Sequence, residues 1–143
     1  IRLVKARYLQ DWLTTDLEKQ GLKQAEWRTD PAQSGPTGSV GDIGVHAFHL
    51  ARYITGLEIE SLVADLNTFV AERRLDDDAS MLLRYSGGAR GSLWCSQVAV
   101  GHENDLRIEI YGGKVEDIHE IVQLILNESE CLINESTCLI YDG

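Results

Sequence analysis

The sequence predicts an α+β fold, a mostly antiparallel open sheet with helices packed on one face. Three features point to it. Five segments have strand character: Ile1 to Leu9, Glu60 to Val70, Ala79 to Tyr85, Ala89 to Val98 and Asp105 to Tyr111. One segment, Asp42 to Thr55, carries apolar residues at helical spacing. The last four strands follow one another without intervening helices, which argues against a doubly wound parallel sheet.

The elements follow in order. In Ile1 to Leu9, Val4, Ala6 and Tyr8 share one face, and Lys5 and Arg7 the other. Residues 11–24 are polar, anchored by Trp12, Leu13 and Leu17, and read as a short helix or an ordered loop. Residues 26–41 read as loop, because Asp30-Pro31 and a Ser/Gly/Pro-rich stretch punctuate them. Asp42 to Thr55 is the clearest helix, with Asp42 as N-cap or first-turn residue and Gly56 just past its end. Ile43, Ala47, Leu50 and Ile54 form its core-facing stripe. Ser86-Gly87-Gly88 between two strand patterns is a hairpin signal. Val115 to Leu126 has the spacing of an amphipathic helix, and a seven-residue repeat follows it, Asn127 to Ile133 and Asn134 to Ile140.

Charge divides the chain. Its 143 residues hold 23 acidic and 13 basic side chains, a formal net charge of −10. Seven of the acids and none of the bases fall in residues 115–143. The expected organisation is therefore a body, 1–114, and an acidic tail, 115–143. An acidic chain lacks the basic face that nucleic acid or anionic membranes require, so neither is an expected partner. No apolar run is long enough to span a bilayer. The three cysteines, an odd number, with no signal peptide ahead of them, fit a reducing compartment, and a cytoplasmic location is expected. Cys95 sits in an apolar strand pattern and is expected to be buried.

The sharpest chemical signal lies on the 42–55 helix. Asp42, His46, His49 and Tyr53 are spaced +4, +3 and +4 and share one helical face. A carboxylate one turn before a histidine suits general acid/base chemistry near neutral pH. Two plainer readings stand beside it: Asp42 only caps the helix, or Asp42, His46 and His49 hold a metal in a small hydrolase. Gly44 removes a side chain, allowing a ligand or another backbone to approach closely. No metal site is expected from the cysteines, whose spacing is wrong for zinc. No G-x-G-x-x-G turn or Walker A motif occurs, so no cofactor-binding residue is assigned and no nucleotide binding is expected of these residues alone.

Trp27-Arg28-Thr29-Asp30-Pro31, Gly41-Asp42-Ile43-Gly44-Val45-His46 and Leu50-Ala51-Arg52-Tyr53-Ile54-Thr55-Gly56 resemble the C-terminal domain of the glucose-fructose oxidoreductase / inositol dehydrogenase / MocA (Gfo/Idh/MocA) family. The likeness runs on through Gly88-Ala89-Arg90-Gly91-Ser92 to Leu106-Arg107-Ile108-Glu109-Ile110-Tyr111-Gly112 and covers about residues 1–114. It implies a dihydrodipicolinate-reductase-like C-terminal domain, serving substrate binding and oligomerisation in an NAD(P)-dependent dehydrogenase of sugars, polyols or related hydroxyl compounds. It implies His46 as acid/base and Asp42 as its assistant. It places Trp27 and Arg28 in a loop lining the substrate cleft, with His49 beside them where many relatives carry Asp. It also implies a homo-oligomer formed through the sheet face. The family's Rossmann domain, with its catalytic Lys and its NAD or NADP, has no counterpart in these residues, so the chain is expected to be incomplete as an enzyme. The alternative is a non-enzymatic assembly module derived from the same domain.

Overall fold

The structure, a computed structural model, describes residues 1–113 and the strand 136–140. Its strands are β1 (Leu3–Leu9), β2 (Ile59–Asn67), β3 (Asp78–Tyr85), β4 (Arg90–Ser96), β5 (Asp105–Tyr111) and β6 (Ser136–Ile140). They form one sheet in the order β2-β3-β4-β1-β5-β6. The pairs β2/β3, β3/β4 and β1/β5 are antiparallel, while β1/β4 and β5/β6 are parallel. The expected α+β architecture is therefore present, with one parallel pair at its centre. Helix α3 (Val45–Thr55) lies in the crossover that returns the chain from β1 to β4 and packs over β1, β4 and β5.

The strand period sets the two faces. Val4 and Ala6 of β1, Leu93 and Cys95 of β4, and Ile108 and Ile110 of β5 are all buried. They meet Ala47, Ala51 and Ile54 of α3 in a single core. Burying these side chains against a helix supplies the main driving force of the fold. Gly87 and Gly88 both take positive φ in the β3–β4 turn, as the hairpin signal requires.

Three expectations change. Residues 26–41 are not all loop: α1 (Lys23–Thr29) and the short α2 (Pro31–Ser34) lie at the start of that stretch. Asp30-Pro31, read as part of that loop, starts α2. Asp30 caps it through its carboxylate to the Ala32 N–H, and proline is suited to the first helical position. The site helix does not begin as α-helix at Asp42: a π turn spans Val40–Gly44 before α3 takes over. The core stripe runs Ile43, Ala47, Ala51, Ile54, and Leu50 falls at its half-buried edge. Steps of four, four and three residues keep that stripe on one side of the helix, and the extra residue in the π turn reorients what precedes it. Gly56 ends α3 at φ +65°, its N–H donating to the Arg52 carbonyl.

The proposed helix at Val115 to Leu126 and the first copy of the repeat lie outside the described residues. Strand β6 falls in the second copy, paired with β5 along the sheet edge.

Candidate active site

The site assembles at one end of the sheet. The last residues of β1 and β4 end there, because the two strands are parallel, and β5 begins there. The π turn and first turn of α3 sit against this end. Gly44 is what allows it: a Cβ there would stand 2.9 Å from Cys95 Sγ. The close neighbour of Gly44 is thus a β4 side chain.

The start of the site helix is held by Asp76, from the segment before β3. Its carboxylate accepts hydrogen bonds from the backbone N–H groups of Gly38 (2.7 Å) and Val40 (2.9 Å) and from Ser39 Oγ (2.7 Å). Free N–H groups at a helix start need such acceptors. Asp42 therefore does no capping: no side-chain cap bond is made by the residues flanking either helical segment, and Asp42 Oδ atoms go elsewhere.

Where they go is specific. Arg28 Nε lies 3.1 and 3.0 Å from Oδ1 and Oδ2, and Gln97 Nε2 donates to Oδ2 at 2.7 Å. The Arg28 guanidinium in turn stacks 4.2 Å from the Trp27 ring centroid and lies 5.6 Å from that of Trp12. Such cation–π contacts fix a planar cation between aromatic faces. Asp42, Arg28 and Trp27 are thus brought together, with Trp27 and Arg28 on α1 instead of a loop.

His46 and His49 stand on the exposed side of α3, as the core stripe requires. Among the described residues no hydrogen bond joins Asp42 to His46, one turn apart on the helix. His46 instead meets Tyr8 edge-on, ring centroids 6.2 Å apart. Tyr8 OH donates to Asn104 Oδ1 (2.6 Å), as does Gln10 Nε2 (2.9 Å), and Trp12 Nε1 donates to Gln10 Oε1 (2.9 Å). His49 packs on Phe48 and lines a shallow hollow with Arg52, Tyr53 and Glu58. Asp42, His46 and His49 do not converge as ligands, and among the described residues no group of three His, Cys, Asp or Glu is placed to hold a metal.

Sequence reasoning missed Gln97, Asp76, Tyr8, Trp12 and Asn104 as parts of the site. One signal was available: three successive aspartates, Asp76 to Asp78, running into a strand. Two of them are buried in hydrogen bonds, Asp76 at the site helix and Asp77 at the N–H groups of Phe69 and Val70.

This domain, an α3-backed open sheet with its polar cluster at the β1/β4 end, matches a known family model. Residues 1–115 match the GFO/IDH/MocA C-terminal domain. The chain belongs to the Gfo/Idh/MocA family. It is 34% identical over 116 residues to an uncharacterised oxidoreductase, YfiI, of Bacillus subtilis (strain 168), covering 80% of this chain and 30% of that protein. A crystal structure of an inositol dehydrogenase homologue with NAD+ from Azotobacter vinelandii superposes with a TM-score of 0.75 at 31% identity, covering 80% of this chain and 30% of that one. A levoglucosan dehydrogenase in complex with NADH and levoglucosan gives a TM-score of 0.70 at 32% identity, over 80% and 31%. The chain thus spans about a third of the length of the relatives it matches. Among the described residues, no helix is long and apolar enough to cross a membrane.

Proposed function

We propose that this chain is the substrate-binding and oligomerisation domain of an NAD(P)-dependent oxidoreductase acting on a sugar, polyol or related hydroxyl compound. The observation that carries the reading is the release of Asp42 from helix capping: Asp76 does that work, leaving Asp42 and His46 one turn apart at the outer face of the site helix. Residues 1–114 form the substrate-binding and oligomerisation domain in this reading, and β6 of the acidic stretch beyond them pairs with β5 at the sheet edge.

In this reading His46 exchanges a proton with the substrate hydroxyl, which a histidine does near neutral pH without a metal. Asp42 assists by its negative charge one turn away, and Trp27 and Arg28 form the wall on which an apolar sugar face rests. His49, exposed on the same helix beyond His46, is assigned to substrate binding with them. NAD or NADP would supply the hydride acceptor for this chemistry. The described residues of this chain contain no glycine-rich phosphate turn, so the dinucleotide is assigned to a nucleotide-binding domain.

The test is a two-domain enzyme carrying this chain. Replacing His46 by Ala is expected to lower kcat by about 10²–10⁴ while KM changes little, because an acid/base group acts in the transition state. Ordinary turnover in His46→Ala overturns the assignment.

A further inference from the structure

We infer that Gln97 is a positioning residue for Asp42, acting from the end of β4 on the carboxylate of the site helix; the inference rests on the reading of Asp42 and His46 above. Gln97 is 3% exposed, so its side-chain amide has been withdrawn from water and needs a partner. Its backbone is already used: the N–H donates to the Asp77 carbonyl at 2.8 Å and the carbonyl accepts from Leu13 at 3.1 Å. These two bonds hold the main chain in place without the side chain. The amide Nε2 is then spent on one atom, Asp42 Oδ2, at 2.7 Å and across 55 residues.

The geometry gives that bond a role that packing does not. Arg28 approaches both oxygens of Asp42 through one nitrogen, Nε, at 3.0 and 3.1 Å. A single donor shared by two oxygens leaves the carboxylate free to pivot about it. The Gln97 bond arrives from the sheet and removes that freedom. Asp42 is therefore oriented by two donors from two separate elements, α1 and the end of β4, and its distance from His46 is set by both. The same β4–β5 connection ends at Asn104, which holds Tyr8 against His46.

Two measurements test this. In the two-domain enzyme, with myo-inositol and levoglucosan as substrates, Gln97→Met keeps length and volume but removes the donor. It is expected to lower kcat about 10- to 100-fold with KM nearly unchanged, the scale of a misplaced reacting group. In an Asp42→Ala background the same change is expected to add little, since two residues acting through one another are not additive. Independent, additive losses overturn the inference and leave the active-site reading standing. An Asp42→Ala enzyme with normal turnover overturns both.

The second measurement uses this chain alone, by nuclear magnetic resonance. Gln97→Met and Gln97→Glu are both expected to speed solvent exchange of the Arg28 Nε–H by about tenfold or more, the loss of one hydrogen bond to a charged group. The backbone amides of β1 and β4 are expected to keep their protection, which separates a loosened carboxylate from a loosened fold. Unchanged Arg28 exchange in both variants overturns the inference.

Discussion

Asp76 and Val40 are joined across 36 residues by a hydrogen bond of 2.9 Å from the Val40 N–H to the Asp76 carboxylate. With the bonds from Gly38 and Ser39, this bond attaches the start of the site helix to the segment that leads into β3. Asp76→Ala removes an acceptor for three donors at a buried helix start. The expected loss is about 2–4 kcal/mol, combining a lost cap with lost charged hydrogen bonds. Urea unfolding followed by circular dichroism measures it, and an unchanged midpoint would show the clamp to be dispensable.

Gly44 has an ordinary helical φ of −60°, so its reason is space and not backbone freedom. A methyl group there would meet Cys95 Sγ at 2.9 Å. Gly44→Ala is expected to destabilise by about 1–3 kcal/mol, as overpacking of a filled core does. Cys95→Ala in the same chain makes room and should recover part of the loss. Additive losses in the double variant would mean that the two side chains do not compete for one space.

Burial pushes the Cys95 thiol up from 9.0 to about 12, and the Asp76 and Asp78 charges add to it, against a lowering contact from Ser39 Oγ. A raised thiol pKa means that the folded state holds the proton longer than the unfolded one. Stability from this group is therefore complete below about pH 9 and falls as pH rises from there toward 12. In a chain with Cys131 and Cys138 replaced by Ser, a thiol reagent at pH 8 should leave Cys95 unmodified until the protein unfolds. Fast modification of the folded chain would refute this.

The face of the sheet away from α3 is divided. Its β1/β5 half carries ion pairs, with Arg7 at 2.9 Å from Asp105 and Lys5 beside Glu109. Its β2/β3/β4 half exposes Val63 (72%) and Leu82 (69%), which are register partners, and Trp94. Trp94 also lines a cleft of about 1030 Å³ with Phe69, Val98 and Val100. An apolar patch rimmed by charge marks an association surface, and the proposed oligomer uses it. Sedimentation at tens of micromolar should show a dimer or larger species, and Leu82→Glu should shift it to monomer. A monomeric parent chain would remove oligomerisation from the proposed function.

The strand faces, the β3–β4 hairpin, the end of α3 at Gly56 and the outward stripe of His46, His49 and Tyr53 were all legible in the sequence. Each depends on a period of two or 3.6 residues or on the conformational freedom of a glycine, and these act within a few neighbours. Asp42 and His46 were legible as candidates for the same reason. What Asp42 touches was not. Its partners come from α1 and from the end of β4, the latter 55 residues away, and the residue that relieves it of capping lies on a third segment. Those meetings depend on β1 and β4 pairing in parallel, with Leu9 opposite Ser96, so that Tyr8, Gln10 and Gln97 arrive at one end of the sheet. The choice of Ala51 over Leu50 for the core also belongs to the assembled structure, in which α3 packs over β1, β4 and β5. Local periodicity determined which residues face outward; the register of distant strands decided which of them meet.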